Sequence, residues 1–460
     1  MNIIADLQLH SKYSQAVSNK LNIEELCRWA MVKGIGLLAT GDWTHPLWIR
    51  EIKEKLVETG NGTLKLNPNF QFSNSKQFPL SKFENINSHF ESLPSHPEFL
   101  LATEISSIYS QGGKVRKVHN LLWAPSLSVV DRIVAALLKR GCNLSADGRP
   151  IVGLSSIELS ELIFEIDETC MIIPAHAWTP WFGMYGSKSG FDSIEECFGK
   201  YADRIYAVET GLSSDPAMNW RIAGLDHRAI VSFSDAHSGP KLGREATVFS
   251  VEELSYRAIR DAILSKTNKG NHIVCTYEFY PEEGKYHWDG HRNCNHRQTP
   301  ETTRKNGTTC PVCGRGLTVG VEYRIDQIAD RPVVAPVPTT DEYGVRWMHH
   351  PDRKKPPYIS MVPLLEIISE MLTVSTSSKK VIAMYDTIVS SIGDEFTVLL
   401  RSTHEEIERV SEKALADAVC KVRAGDIVID PGYDGVFGTV KVWGSEEKNA
   451  VEAKEQLGLF

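Results

Sequence analysis

The sequence predicts an α/β fold, a barrel of β/α units followed by a small metal-held module and a mostly helical C-terminal domain. Three observations predict it. Short aliphatic or β-branched runs alternate with amphipathic helical patterns from Met1 to about Lys269, a Cys-, His-, Gly- and Arg-rich stretch follows from about Gly270 to Val321, and helical periodicity returns from Tyr358. The expected domains are 1–269, 270–330 and 331–460.

In the first domain the aliphatic runs in "IGLLATGD", "EFLLATEIS", "VHNLLWAP", "CMIIPAHAW", "IYAVETGLS" and "AIVSFSDAHS" each give way to Gly, Pro, Ser, Asp or His. Strands alternating with helices imply parallel β/α units, whose chemistry gathers where the strands end. The stretch between Phe70 and Glu98, rich in Asn, Ser and Pro, reads as an excursion over the barrel mouth. A Pro-rich connector, "DRPVVAPVP", precedes the last domain. There "VPLLEIISEML", "KKVIAMYDTIVSSI" and "HEEIERVSEKALADAVCKVRAG" carry helical periodicity, and "DIVIDPGYDGVFGTVKV" closes the chain with strand-like alternation.

With 42% hydrophobic and 23% charged residues, the composition is that of a folded soluble protein. The opening "MNIIADLQLHS" has neither the basic nor the apolar region of a signal peptide, and no stretch approaches the ~20 apolar residues of a membrane span. A cytoplasmic protein with no membrane partner is expected. The net charge of −8 argues against indiscriminate nucleic-acid binding. Cys27, Cys142, Cys170, Cys197, Cys275 and Cys420 are isolated in apolar or mixed segments, as reduced core thiols would be.

Polar residues recur where the strands are expected to end: Asp6, Gln8 and His10 in "ADLQLHS", Asp42 in "ATGDW", Glu104 in "ATEIS", His119 in "KVHNLL", His176 in "PAHAW", Glu209 in "VETGLS", and Asp235 with His237 in "SDAHS". One such residue commonly caps a helix or satisfies a core hydrogen bond. Their repetition favours a shared metal cluster, because imidazole and carboxylate together suit Zn²⁺, Mn²⁺ or Fe and a bridging carboxylate can hold two ions. Paired ions can lower the pKa of a water and offset phosphoryl charge, so phosphate ester hydrolysis is the natural use.

The order and wording of these segments over roughly residues 1–265 resemble the PHP (polymerase and histidinol phosphatase) family, which implies a distorted (β/α)7 barrel carrying up to three metal ions. The resemblance places ligands at His10, Asp42, Glu104, His119, His176, Glu209, Asp235 and His237. Gln8 departs from the family's opening His-x-His, and an amide oxygen is a poorer ligand for zinc-like ions than imidazole. Longer strings, "PAHAWTPWFGMYGSKSGFDSIEECFG", "ETGLSSDPAMNW", "SDAHSGPKLGREAT" and "PGYDGVFG" among them, resemble the endonuclease Q-like branch and extend the similarity over nearly the whole chain. That branch implies DNA-repair cleavage 5′ to a deaminated base (hypoxanthine, uracil or xanthine) or an abasic site, supported by Mg²⁺ or Mn²⁺. The expected partner is damaged double-stranded DNA, with possible contact to replication or repair proteins and a monomeric chain.

Trp178, Trp181, Phe182 and Tyr185 follow the ligand His176, where they either stack on an extruded base or pack the barrel rim. Asp192 is either a helix N-cap or a catalytic acid or base alongside Asp235 and His237. His291, Cys294, Cys310 and Cys313 form two knuckle-like pairs fifteen residues apart, suiting a structural Zn²⁺, with His287 and His296 competing for the histidine place. Lys241 and Arg244 contact phosphate or pair with a rim carboxylate. Arg346, Arg353, Lys354 and Lys355 lie in "RWMHHPDRKKPPY", which interleaves aromatics with cations as a DNA-tracking surface would. Two rival readings remain, a small-molecule phosphatase of the same family and, because of Gln8, a catalytically weakened DNA-binding protein.

Overall fold

The computed structural model describes residues 1–69, 96–267 and 269–444. The excursion expected between Phe70 and Glu98 therefore lies outside the described residues from 70 to 95. No helix among the described residues is long and apolar enough to cross a membrane.

Seven strands make a circuit. Asn2–Asp6 pairs in parallel with Leu37–Ala39, and Leu37–Ala39 with Glu98–Gln111. Glu98–Gln111 is antiparallel to Lys114–Ala124, which is antiparallel to Met171–Pro174. Beyond Pro174 the Ala177 N–H donates to the Glu209 carbonyl at 3.1 Å, which leads to Ala207–Glu209 and its parallel partner Ala229–Val231. A parallel bridge between Leu9 and Ala236 returns to the start. Closure thus happens past the regular ladders, so the segments leaving the strands are drawn against one another.

Purely parallel β/α units were expected, and this is corrected. Only Gly112 and Gly113, both with positive φ, join Glu98–Gln111 to Lys114–Ala124, and a two-residue link can only fold the chain back as a hairpin. The sheet also extends outside the circuit: Ala246–Ser250 lies antiparallel to Asn2–Asp6, His272–Glu278 lies antiparallel to Ala246–Ser250, and Tyr358–Ser360 lies parallel to His272–Glu278. One strand system therefore runs on across residue 269.

Helices begin where short polar side chains can take orphan N–H groups. Asn22 accepts from the Glu25 N–H at 2.9 Å, and Ser155 with Glu158 forms a reciprocal capping box. The C-terminal helices Leu364–Leu372, Lys379–Ile392, Glu395–Leu400, His404–Val410 and Lys413–Ala424 bury Ile367, Tyr385, Val389, Val398, Ile407 and Val419. Helix Ile23–Lys33 packs on them through an ion pair, Lys33 Nζ to Glu395 Oε2 at 2.6 Å, with side chains only 2% and 5% exposed. Tyr385 donates its hydroxyl to the same oxygen at 2.6 Å, and the Leu364 N–H donates to Glu395 Oε1 at 3.1 Å.

Removing one partner of a buried pair leaves the other charge uncompensated. Glu395→Ala is expected to cost about 3–5 kcal/mol in chemical unfolding, and Lys33→Met/Glu395→Met much less. Equal losses from the single and double substitutions would show that the ion pair does not join the two regions.

Candidate metal centre

Two groups of ligand atoms meet inside the circuit. His10, Asp235 and His237 bring theirs within 4.8 Å of one another, as do Glu104, His119 and His176. Glu104 belongs to both neighbourhoods. Its Oε2 lies 3.3 Å from His10 Nε2, while its Oε1 lies against His119 Nδ1 and 3.8 Å from His176 Nε2. His10 Nε2 is also 3.2 Å from Asp235 Oδ1. Glu104 and His119 sit in the middle of the long hairpin and not, as expected, at strand ends.

Gln8 Oε1 and Glu209 Oε1 are buried without a hydrogen-bond partner, and His10 Nε2, Glu104 Oε1 and Asp235 Oδ1 meet one another or His119 only in close charged contacts without well-formed hydrogen bonds. Leaving a buried polar atom so poorly paired is costly, and this crowding of lone pairs fits a place for bound cations. The rings are turned to serve it. His10 places Nδ1 on Asp42 Oδ1 at 3.1 Å, His176 places Nδ1 on Thr179 Oγ1 at 3.0 Å, and His237 places Nδ1 on the Asp235 carbonyl at 2.8 Å. With Nδ1–H donating in each, Nε2 is the ring atom left to face an ion, which in His10 would displace the proton that its acidic neighbours favour.

The backbone pays for this arrangement in strain: Asp42 (φ +40°), His176 (φ +30°) and Asp235 (φ +46°) all adopt the left-handed region that non-glycine residues avoid. Gly211 follows Glu209 closely for a related reason. Its φ is +55°, and a Cβ there would run into the His176 side chain.

Burial dominates the electrostatics, and the neighbours decide its outcome. Burial would lower His10, but Asp42, Asp235 and Glu104 hold it well above its ordinary value. Burial would raise Glu104, yet His119, Arg149 and His10 hold it well below the carboxylate range. Burial lowers His119 to about 4, which keeps its ring neutral and able to ligate. Glu209 is pushed well above its ordinary value by burial and then by Asp235, Glu104 and Asp6.

Six of the ten expected ligands thus fall in these two groups, and Gln8 and Glu209 each keep one buried oxygen without a hydrogen-bond partner. Asp6 and Asp42 do neither. Asp6 accepts from the Ser234 N–H at 2.9 Å, the Ser234 hydroxyl at 2.5 Å and the Gly243 N–H at 2.9 Å, so it anchors the loop that presents Asp235. Asp42 accepts from the Ser11 N–H at 2.5 Å and the Ser14 hydroxyl at 2.9 Å while it orients His10. Gln8 donates Nε2 to Glu104 Oε2 at 2.7 Å and so helps to hold the shared carboxylate. Glu209 accepts from the His176 N–H at 2.6 Å through its other oxygen.

Other expectations shift. Ser193, not Asp192, caps the helix Ile194–Phe198, and Asp192 is an exposed carboxylate paired with Arg324 at 2.5 Å, outside both ligand groups. Trp178 is fully buried, donates to Asn219 Oδ1 at 2.8 Å and stacks on Tyr185, so it packs the rim. Phe182 lies over His119 at 4.3 Å, and Trp181 is exposed, with its ring edge-on to Tyr286. Lys241 pairs with Glu366 at 2.7 Å. Arg244 donates to the Ser234 carbonyl at 2.9 Å and braces the Asp235 loop. Arg346, Arg353 and Lys354 are exposed, whereas Lys355 reaches Asp226 at 3.3 Å. Arg149, which the sequence analysis missed, stands with Nη1 3.6 Å from Glu104 Oε1. Its signal was the "DGRP" turn, which carries no ligand pattern.

A second group, His291, Cys294, Cys310 and Cys313, also converges within 4.8 Å. His291 takes the histidine place, since His287 faces Glu322 at 3.6 Å and His296 faces Gln298 at 3.2 Å. The hairpin of Asp289–His291 with His296–Gln298 supplies the first knuckle. The Gly314 N–H donates to the Cys310 carbonyl at 2.9 Å and turns the second.

Comparisons with known proteins agree with this architecture. Residues 363–426 match the family model described as the MJ0043 C-terminal domain. The chain is 30% identical over 267 residues to the uncharacterized protein MJ0043 of Methanocaldococcus jannaschii, covering 58% of this chain and 31% of that protein, so it spans about a third of that relative's length. It is 26% identical over 325 residues to the uncharacterized protein YqxK of Bacillus subtilis, covering 70% of this chain and 74% of that one. Among solved structures it is similar to the lesion-specific endonuclease PfuEndoQ from Pyrococcus furiosus, with TM-score 0.76, 28% identity, and 98% and 99% of the two chains covered. It is also similar to an endonuclease Q solved in complex with a 27-mer duplex carrying an abasic lesion at the active site, with TM-score 0.77, 28% identity, and 97% and 98% covered. In architecture the chain is endonuclease Q-like from end to end.

Because Glu104 faces both groups, Glu104→Gln should lower bound metal at both, whereas His176→Ala and His237→Ala should each deplete one. Elemental analysis of the full chain decides this, and equal depletion by all three substitutions would remove Glu104's shared position. Cys294→Ser should lose one further ion per chain without changing the count at the buried centre; an unchanged total would mean that the four-residue group binds no metal.

Proposed function

We propose that this endonuclease Q-like chain is a metal-dependent DNA-repair endonuclease that hydrolyses the phosphodiester 5′ to a deaminated base or an abasic site. The observation that carries the reading is Glu104, whose two oxygens face two imidazole-bearing groups, within an architecture similar over nearly the whole chain to a lesion-specific endonuclease. The residues fit divalent ions, with Mg²⁺ or Mn²⁺ supporting activity at the buried centre and Zn²⁺ held by His291, Cys294, Cys310 and Cys313.

Ions bound at the centre would lower the pKa of a water and offset charge on the phosphoryl oxygens. The chain supplies everything else. Asp42, Thr179 and the Asp235 carbonyl keep three imidazoles in one orientation, while Asp6 and Arg244 brace the loop of Asp235 and His237. Phe182 covers one face of His119 and limits water there. Trp181, Arg346, Arg353 and Lys354, exposed in a chain of net charge −8, provide local duplex contacts. A deaminated base is weakly paired, so it costs less than a normal one to draw toward the centre.

The test is nicking of 5′-labelled duplexes that each carry one uracil, hypoxanthine, xanthine or abasic site, in Mg²⁺ or Mn²⁺. A single cut 5′ to the lesion is expected, reduced about a hundredfold or more in Asp235→Ala. Phosphate release from monoesters without nicking would replace this reading with a phosphatase, and tight duplex binding without either reaction would replace it with a DNA-binding protein.

A further inference from the structure

Arg149 is held in place more firmly than an exposed loop arginine needs. The Gly148 N–H donates to the Tyr13 carbonyl at 3.0 Å, the Thr44 hydroxyl donates to the Gly148 carbonyl at 3.3 Å, and the Ser106 N–H donates to the Pro150 carbonyl at 3.0 Å. The Arg149 N–H itself donates to Asp147 Oδ1 at 3.0 Å. Three separate segments thus fix the turn, and Gly148 must lack a side chain because a Cβ would strike Asp42 Oδ2 and Ser14 Oγ. From this base the Arg149 side chain, 23% exposed, reaches to 3.6 Å from Glu104 Oε1, with Asp235, Asp147 and Asp42 contributing attraction at longer range.

A guanidinium beside a carboxylate that can also serve metals is held by competing partners. Cations on Glu104 would largely take up that carboxylate's charge, and an arginine beside them, attracted otherwise only at longer range by Asp235, Asp147 and Asp42, would gain from an anion that reaches it directly. We propose that this anion is the scissile phosphate, and that Arg149 is a catalytic residue donating to its non-bridging oxygens. The planar fork of the guanidinium suits a tetrahedral phosphate group in a way that a lysine ammonium does not. Lys241 and Arg244, the cations expected in this role, are engaged by Glu366 and by the Ser234 carbonyl. The inference rests on the proposed phosphoesterase chemistry and specifies which side chain recognises the reacting group.

The experiment uses the full chain loaded with Mn²⁺, as wild type, Arg149→Ala and Arg149→Lys. Titration calorimetry with inorganic phosphate should show affinity weakened about 10- to 100-fold in both variants, with bound metal unchanged by elemental analysis. Single-turnover nicking of the abasic-site duplex should fall about 10²- to 10³-fold, with guanidinium ion restoring part of the Arg149→Ala rate. Arg149→Lys retains the positive charge in case Arg149→Ala disturbs Glu104. Phosphate affinity within about twofold of wild type, or loss of metal in step with activity in both variants, would overturn the assignment. If the wild type nicks no lesion, the nuclease reading fails, and the phosphate titration still decides the role of Arg149.

Discussion

A carboxylate taken out of water must find compensating positive charge or hydrogen-bond donors, and in this molecule that requirement falls most heavily on Glu104. Its Oε2 accepts from Gln8 and faces His10, while its Oε1 faces His119, His176 and Arg149. Residues from four separate stretches of chain therefore depend on one side chain for their placement. Burial alone would protonate Glu104, and its neighbours keep it ionised. For a candidate cation site this is the useful state, because metal binding would not first have to displace a proton from the shared carboxylate.

The circuit of strands explains how such distant residues meet. Regular ladders end before the circuit closes, and single contacts, Ala177 to Glu209 and Leu9 to Ala236, complete it. The crossing points lie beside His176, Glu209, His10 and Asp235. Left-handed backbone at Asp42, His176 and Asp235 belongs to the same geometry, since tight exits from the strands turn these side chains inward. Asp6 and Arg244 repay part of that strain by fixing the Ser234–Asp235 backbone from two sides.

Around this centre the rest of the chain divides its labour. The Lys33–Glu395 pair ties the C-terminal helices to the first helix, and the four ligand atoms of His291, Cys294, Cys310 and Cys313 converge beside a short hairpin. The turn bearing Arg353 and Lys354 is held from elsewhere, by His350 against Trp220 and by Lys355 against Asp226. A locally cationic surface on an acidic chain favours a polyanion that fits its shape over nonspecific adsorption.

Residue identity and order determined the candidate ligands. Imidazoles and carboxylates recurring after aliphatic runs pointed to a metal centre, and the spacing of Cys294, Cys310 and Cys313 pointed to a second metal group before any contact was known. The helical C-terminal region was legible for a similar reason, since helix periodicity and capping are local properties. The hairpin at Gly112–Gly113 was legible in principle, but the alternation of strands and helices overshadowed it. Which of these candidates converge and which stand behind the others was decided by the tertiary structure. Asp6 and Asp42 have the same chemistry as Asp235, and only the backbone N–H and hydroxyl groups packed against them divert their oxygens. The partners of Trp178, Lys241, Arg244 and Arg149 were decided in the same way, because a side chain's partner depends on segments far away in sequence, and no local pattern encodes that proximity.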